Sequence, residues 1–196
     1  MGRNRAVFLD RDGVINPLVY NLNTEEYESP HYPEDFSIYT YILKSLQLLK
    51  KHGFKVILIS NQPSYAKGKT SLENIREIEK LLQEFSDENG ILIDKYYYCY
   101  HHPNGIVPGY SYVCDCRKPS TKFVEQSIEE FGLNRSDCYF IGDQDTDIEC
   151  GKNAGLVTVK INNKDSQKKS GKVQPDFFAK NMYDAVQRIL EVLNEH

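Results

Sequence analysis

The chain has 196 residues, with 24 Lys and Arg against 28 Asp and Glu, for a formal charge of −4. That length can bury a core without disulfide staples, and the charge balance gives no global pull toward nucleic acid or an acidic membrane face. No run of 18 apolar residues is present, which excludes a spanning helix, and Met1 to Arg5 lack the apolar stretch of a secretory signal.

Taken in chain order, the elements alternate. Ala6-Val7-Phe8-Leu9 is a short apolar run that reads as a buried strand ending at Asp10. From Tyr39 to His52 the apolar positions 39, 42, 43, 46 and 49 form a helical stripe, with Gly53 as its stop. Val56-Ile57-Leu58-Ile59 is a second strand, ending at Ser60-Asn61. Thr70-Ser71-Leu72-Glu73 has the shape of a capping box, opening a helix that carries Ile75, Ile78, Leu81, Leu82 and Phe85 and stops near Gly90. Tyr96-Tyr97-Tyr98 is a third strand, and residues 99–119 form an aperiodic loop. A helix follows from Phe123 to Phe131, then a strand at Cys138-Tyr139-Phe140-Ile141 that stops at Gly142-Asp143. A short helix spans about Thr146 to Ala154, a strand runs from Leu156 to Ile161, and residues 162–174 read as a solvated Lys-rich loop. The last helix carries Val186, Ile189, Leu190 and Leu193. Strands alternating with helices predict a mostly parallel sheet covered on both faces. Ligands of such sheets bind beyond the carboxyl ends of the strands, and three of those ends carry Asp10, Ser60 and Asp143.

Asp10 and Asp12 are two residues apart, so on extended backbone they share a side, and Gly13 lets the chain turn behind them. Two carboxylates held close repel unless a cation neutralises them. Gly142-Asp143-Gln144-Asp145-Thr146-Asp147 adds three carboxylates at another strand end. Helix capping accounts for one or two of them, and a hard cation such as Mg²⁺ accounts for the rest.

There are five cysteines, Cys99, Cys114, Cys116, Cys138 and Cys150. The odd number argues against a disulfide framework and for a reducing, cytoplasmic compartment. Cys138 and Cys150 sit in apolar contexts and read as core residues. Cys99-Tyr100-His101-His102 and Cys114-Asp115-Cys116, with twelve residues from 102 to 113 between them, supply a closed tetrahedral zinc set. Cys99, Cys114 and Cys116 are three of its ligands, and either His101 or His102 is the fourth.

These motifs resemble the haloacid dehalogenase superfamily of aspartate-nucleophile phosphatases. Its motifs appear in order as Asp10-Arg11-Asp12, Ser60-Asn61-Gln62, Lys118 within Cys116-Arg117-Lys118-Pro119, and the acidic run 143–147. The loop looks like that of the D-glycero-D-manno-heptose 1,7-bisphosphate phosphatases. The related histidinol-phosphate phosphatases share the zinc residues but usually have a shorter gap. The resemblance implies a three-layer Rossmann-like α/β fold with a parallel central sheet, as one domain over 1–196. A flap is expected at about 17–38 and a zinc-stabilised loop at about 99–119. It implies catalysis by Asp10, Asp12, Ser60 and Lys118, and substrate binding by Asn61, Gln62, Arg117 and Lys118. Mg²⁺ is then held by Asp10, Asp12 through its backbone carbonyl, and Asp143, and structural zinc by Cys99, His101, Cys114 and Cys116. The substrate implied is a small sugar phosphate, heptose 1,7-bisphosphate losing its 7-phosphate, with histidinol phosphate or another phosphomonoester as the alternative. A non-catalytic metal-binding scaffold fits less well, because it needs no Asp12. No nucleic-acid or membrane partner is expected, and a monomer is the default.

Two positions depart from the heptose pattern. Pro63-Ser64-Tyr65 alters the edge after Gln62, and Gln144 stands where a cation is common.

Overall fold

The computed structural model describes residues 4–91, 93–169 and 171–194. Its strands are β1 (Ala6–Leu9), β2 (Val19–Asn21), β3 (Glu26–Glu28), β4 (Lys55–Asn61), β5 (Lys95–Cys99), β6 (Tyr139–Gly142), β7 (Val157–Ile161) and β8 (Phe177–Ala179). The helices are α1 (Ile42–Lys51), α2 (Leu72–Glu88), α3 (Lys122–Phe131), α4 (Asp145–Asn153) and α5 (Met182–Asn194).

Among the described residues, six strands form one sheet in the order β5-β4-β1-β6-β7-β8, each neighbour pair parallel. Alternating side chains divide the sheet between two cores. Val7, Leu9, Val56, Leu58, Tyr139 and Ile141 face the core that α1 and α5 cover. Ala6, Phe8, Ile57, Ile59, Cys138 and Phe140 face the other, packed by residues of α3 and α4 such as Val124 and Cys150. The run of apolar residues in each central strand is therefore the mark of burial on both faces. This is the three-layer α/β arrangement expected from the alternation of elements, and both Cys138 and Cys150 are core residues.

The sheet order sets the site. β1 lies between β4 and β6, so Asp10, Ser60 and Asp143 sit on adjacent strand ends. Asp10 extends the β1 ladder by one bond, its N–H donating to Ile141 O at 3.0 Å.

Several boundaries differ from expectation. α1 begins at Ile42, not Tyr39, and the Tyr39 and Tyr41 rings stack with centroids 5.1 Å apart ahead of the helix. The cap of α2 is Ser71, whose Oγ accepts the Asn74 N–H at 3.0 Å. Thr70 is drawn away to donate to the His31 carbonyl, so the expected box with Glu73 does not form. Residues 17–38 contain the antiparallel hairpin β2–β3 and a short 3-10 turn at Pro33–Asp35. The connection 162–174 includes a 3-10 turn at Lys164–Lys169 and is not wholly solvated, since Ser166 is buried. β8, at the sheet edge beside β7, follows it. No helix among the described residues is long and apolar enough to cross a membrane.

Candidate active site

Beyond the carboxyl ends of β1, β4 and β6 lies a cavity of about 430 Å³ whose lining includes Asp10, Asp12, Asn61, Arg117, Lys118 and Asp147. At its floor Lys118 is 2 % exposed. Its Nζ lies 2.8 Å from Asp10 Oδ1 and 2.8 Å from Asp147 Oδ1, and donates to Ile59 O at 2.7 Å. An ammonium so deeply buried would ordinarily lose its charge, but the two carboxylates outweigh the burial and hold Lys118 above its usual range.

Asp10, Asp143 and Asp147 form one buried group, each offering an oxygen within 4.8 Å of the others. Burial pushes Asp10 up to about 6, with Lys118 pulling the other way and Asp147 and Asp12 adding to the rise. Burial, then Asp147 and Asp10, raise Asp143 well above the carboxylate range. Asp143 Oδ1 is buried with no hydrogen-bond partner among the described residues. Three buried carboxylates against one ammonium, with one oxygen left orphaned, make a donor set suited to a hard divalent cation. Gly13 is required here: its φ is +82°, and a Cβ would fall 2.0 Å from Asp143 Oδ2.

Asp12 is gripped as an acceptor at both oxygens. Arg11 donates from Nε and Nη2 to Oδ1 at 3.0 and 2.9 Å, Asn16 Nδ2 donates to Oδ1 at 2.9 Å, and Gln62 Nε2 donates to Oδ2 at 2.6 Å. Gln62 also donates to Ser60 Oγ at 2.9 Å. Ser60 and Gln62 are each 1 % exposed, so Gln62 spends its amide on Asp12 and Ser60. Asn61 clamps the backbone of Lys118 in both directions: Lys118 N–H donates to Oδ1 at 3.0 Å, and Nδ2 donates to Lys118 O at 3.1 Å.

Of the residues the sequence singled out around the strand ends, Asp10, Asp12, Asn61, Arg117 and Lys118 line the cavity, whereas Ser60, Gln62 and Asp143 lie behind it, Gln62 in contact with Asp12, Ser60 in contact with Gln62, and Asp143 grouped with Asp10. Sequence reasoning missed three parts. Arg11 passed as a spacer between two aspartates, yet it is fully buried against Asp12. Asp147 was visible in the acidic run, but only the tertiary approach of Lys118 distinguishes it from Asp145. Asn163 and Ser166 reach Asp143 from the Lys-rich connection, by Nδ2 to Oδ2 and by Oγ to the backbone carbonyl, each at 3.3 Å. Nothing in their local pattern marks them.

A second cluster sits beside the cavity, where Cys99 ends β5. Cys99, Cys114 and Cys116 place their sulfurs 3.3 to 3.5 Å apart, and His101 Nδ1 lies 3.8 Å from Cys99 Sγ and 3.5 Å from Cys116 Sγ. These four residues could hold a metal ion. His101 Nε2 is engaged by Tyr112 Oη at 2.9 Å, which fixes the ring with Nδ1 inward. His102 points elsewhere: its Nδ1 accepts the Asn104 N–H at 3.1 Å and its side chain lines the cavity. Of the two histidines, His101 is the one grouped with the three sulfurs. Arg117 Nη1 donates to His101 O at 3.3 Å, tying the cluster to the cavity wall.

Residues 115–185 match the HAD-hydrolase-like family model. A D-glycero-D-manno-heptose-1,7-bisphosphate 7-phosphatase from Chlorobaculum tepidum is 34% identical over 190 residues, 93% of this chain and 92% of that one. The D-glycero-beta-D-manno-heptose-1,7-bisphosphate 7-phosphatase of Haemophilus ducreyi is 31% identical over 81% of this chain and 82% of its own. Among solved structures, D,D-heptose 1,7-bisphosphate phosphatase from B. bronchiseptica, complexed with magnesium and phosphate, superposes with a TM-score of 0.76. It covers 96% of this chain and 99% of that one at 19% identity, a likeness of fold. With the length matched almost end to end by the first of these relatives, the chain belongs to the D-glycero-D-manno-heptose-1,7-bisphosphate 7-phosphatase family of HAD-like hydrolases.

Proposed function

We propose that this protein removes the 7-phosphate of D-glycero-D-manno-heptose 1,7-bisphosphate, with Asp10 as the nucleophile. The observation that carries the chemistry is Lys118 Nζ, held 2.8 Å from both Asp10 and Asp147 at the cavity floor. The names of the relatives carry the substrate.

Asp10 attacks phosphorus in line, and the bond from phosphorus to the sugar oxygen breaks as an aspartyl phosphate forms. Asp12 gives a proton to the departing oxygen. It then takes one from the water that opens the acyl phosphate and regenerates Asp10. Because Asp12 accepts hydrogen bonds at both oxygens, it must loosen from Gln62 or Asn16 to carry that proton. Lys118 neutralises the nucleophile and the transferring group. Ser60 orients Gln62, and through it Asp12. Asn61 and Gln62 hold Lys118 and Asp12 in place rather than reaching far into the cavity. Asp10, Asp143 and the Asp12 carbonyl would hold Mg²⁺, which offsets the charge of the incoming phosphate.

Cys99, His101, Cys114 and Cys116 would hold Zn²⁺. Ligands about 2.3 Å from a tetrahedral ion lie about 3.7 Å from one another, close to the 3.3 to 3.8 Å separations of this cluster. Four protein ligands leave no open position, so the role is structural. The segment 17–38 acts as a flap: Leu18 and Ser29 line the cavity, and Ser29 Oγ meets Ser64 Oγ at 3.2 Å. It excludes water and holds the sugar.

The test compares kcat/KM for heptose 1,7-bisphosphate, heptose 7-phosphate and histidinol phosphate in the wild type and in Asp10→Asn. The bisphosphate is expected to be preferred, and Asp10→Asn to be inactive while keeping its far-ultraviolet spectrum. A preference for histidinol phosphate overturns the substrate, and an active Asp10→Asn overturns the nucleophile.

A further inference from the structure

Lys118 is fully engaged at the cavity floor, so it has no reach toward the far end of a long ligand. The outer wall is built differently. Arg117 comes to it from the loop after β5, and Lys172 comes to it from the connection between β7 and β8. Asp145, the first residue of α4, fastens that connection. Its Oδ1 accepts the Gly171 N–H at 2.9 Å and Lys160 Nζ at 2.5 Å, and its Oδ2 accepts the Lys172 N–H at 2.8 Å. The Lys160 side chain is 4 % exposed, so the anchor is rooted in β7. Burial works against a charge on Asp145, but Lys160 and the two N–H groups hold its carboxyl below the usual range.

Asp145 therefore stands apart from the group formed by Asp10, Asp143 and Asp147. Its carboxylate is spent on placing Lys172. Gln144 beside it adds no charge, because its carboxamide is neutral. The Arg117 guanidinium is partly committed to the His101 carbonyl. The exposed Lys172 side chain thus supplies positive charge at the mouth of a cavity whose floor is acidic.

We propose that Lys172 is a specificity-determining residue that binds the second phosphate of a sugar bisphosphate, and that Asp145 is the positioning residue that holds it there. This rests on the phosphatase reading above and extends it to the far end of the substrate. When one phosphate sits at Asp10 and Lys118, the other emerges at the rim, where Arg117 and Lys172 meet it from separate segments. A charge-assisted contact there favours the doubly phosphorylated ligand over the monophosphate.

The experiment measures kcat/KM for heptose 1,7-bisphosphate relative to heptose 7-phosphate in wild type, Lys172→Ala, Lys172→Arg and Asp145→Asn. The ratio should fall about tenfold in Lys172→Ala, chiefly through KM, and stay within about threefold of wild type in Lys172→Arg. Asp145→Asn should lower the same ratio, and adding Lys172→Ala to it should lower it little further. A ratio in Lys172→Ala within about twofold of wild type overturns the proposal. If the wild type does not turn over the heptose bisphosphate, the substrate reading has failed. Lys172 is then read from inhibition of p-nitrophenyl phosphate hydrolysis by fructose 1,6-bisphosphate against fructose 6-phosphate. A bisphosphate preference that Lys172→Ala abolishes supports the assignment, and an absent or retained preference overturns it.

Discussion

A buried guanidinium is costly unless every donor is used, and Arg11 shows what this site gains from one. It is fully buried, makes a forked contact with Asp12, and lies with its Cζ 5.9 Å from the centroid of the Phe36 ring. Its Nη1 has no partner among the described residues. The fork fixes the carboxylate that must move a proton, and Lys could not reproduce a planar two-nitrogen grip. Arg11→Met would leave Asp12 buried with only Asn16 and Gln62 as donors. Removing one partner of a buried pair exposes the desolvation penalty of the other. We expect Arg11→Met to lose about 3 kcal/mol of stability in urea unfolding and to lower kcat more than it raises KM. Unchanged stability would mean that Asn16 and Gln62 suffice.

At the scale of elements, Asp94, just ahead of β5, ties two of them, α1 and β4, to its own segment. Its carboxylate takes Lys50 of α1 at 2.7 Å, Lys55 of β4 at 2.9 Å and the Val56 N–H at 2.8 Å. Burial pushes Asp94 up, but Lys50, the Val56 N–H and Lys55 together hold it below its ordinary range. A carboxyl depressed in the folded state stabilises the fold above its unfolded pKa, about 4, and that stability is lost as pH falls through the lower folded value. Both lysines are partly exposed, so water screens the gain. Asp94→Asn should cost about 1 to 2 kcal/mol at pH 7, and the gap from wild type should narrow as the pH falls below about 4. Thermal melts across that range check it, and a gap independent of pH would assign the effect to packing. Nothing around Ile93-Asp94-Lys95 in the sequence announces this junction, because its partners are more than thirty residues away. Shortness, not distance, hid β2, β3 and β8. Each is three residues long, too short for periodicity to speak, and each is defined by what it pairs with. The central strands were legible because burial on both faces leaves an unbroken apolar run, and α2 because its apolar stripe spans many turns. The strand-end aspartates were legible for a different reason: the parallel topology converts three distant sequence positions into one site. Lys172 had no such signal, since a lysine in a Lys-rich stretch looks the same whether it faces solvent or a cavity.

Across the whole molecule, one connection ties the Cys/His cluster to the acidic one. The chain leaves β5 at Cys99, passes through His101, Cys114 and Cys116, and delivers Arg117 and Lys118 to the cavity before α3 begins. The segment 100–121 contains no helix or strand, so its backbone lacks the ladder that fixes the rest of the fold. Asn61 holds one end at Lys118, and the four-ligand cluster holds the middle. Lys118 itself is pinned by Asp10, Asp147 and Ile59, whereas Arg117 depends on His101 for its one described side-chain hydrogen bond. Loss of the ion should therefore disturb Arg117 more than Lys118, and substrate affinity more than the chemical step. Cys114→Ser removes one thiolate without touching the cavity lining. Purified wild type is expected to carry one zinc per chain by elemental analysis, and Cys114→Ser to carry much less. The variant should keep a native far-ultraviolet spectrum, because the sheet and both cores lie outside the loop. Its kcat/KM for the bisphosphate should fall about 10- to 100-fold, with a smaller loss on p-nitrophenyl phosphate, which makes no use of the rim. Wild-type protein that is free of metal at the cysteines yet fully active would show that the loop holds its shape unaided, and that Arg117 is placed by the polypeptide alone.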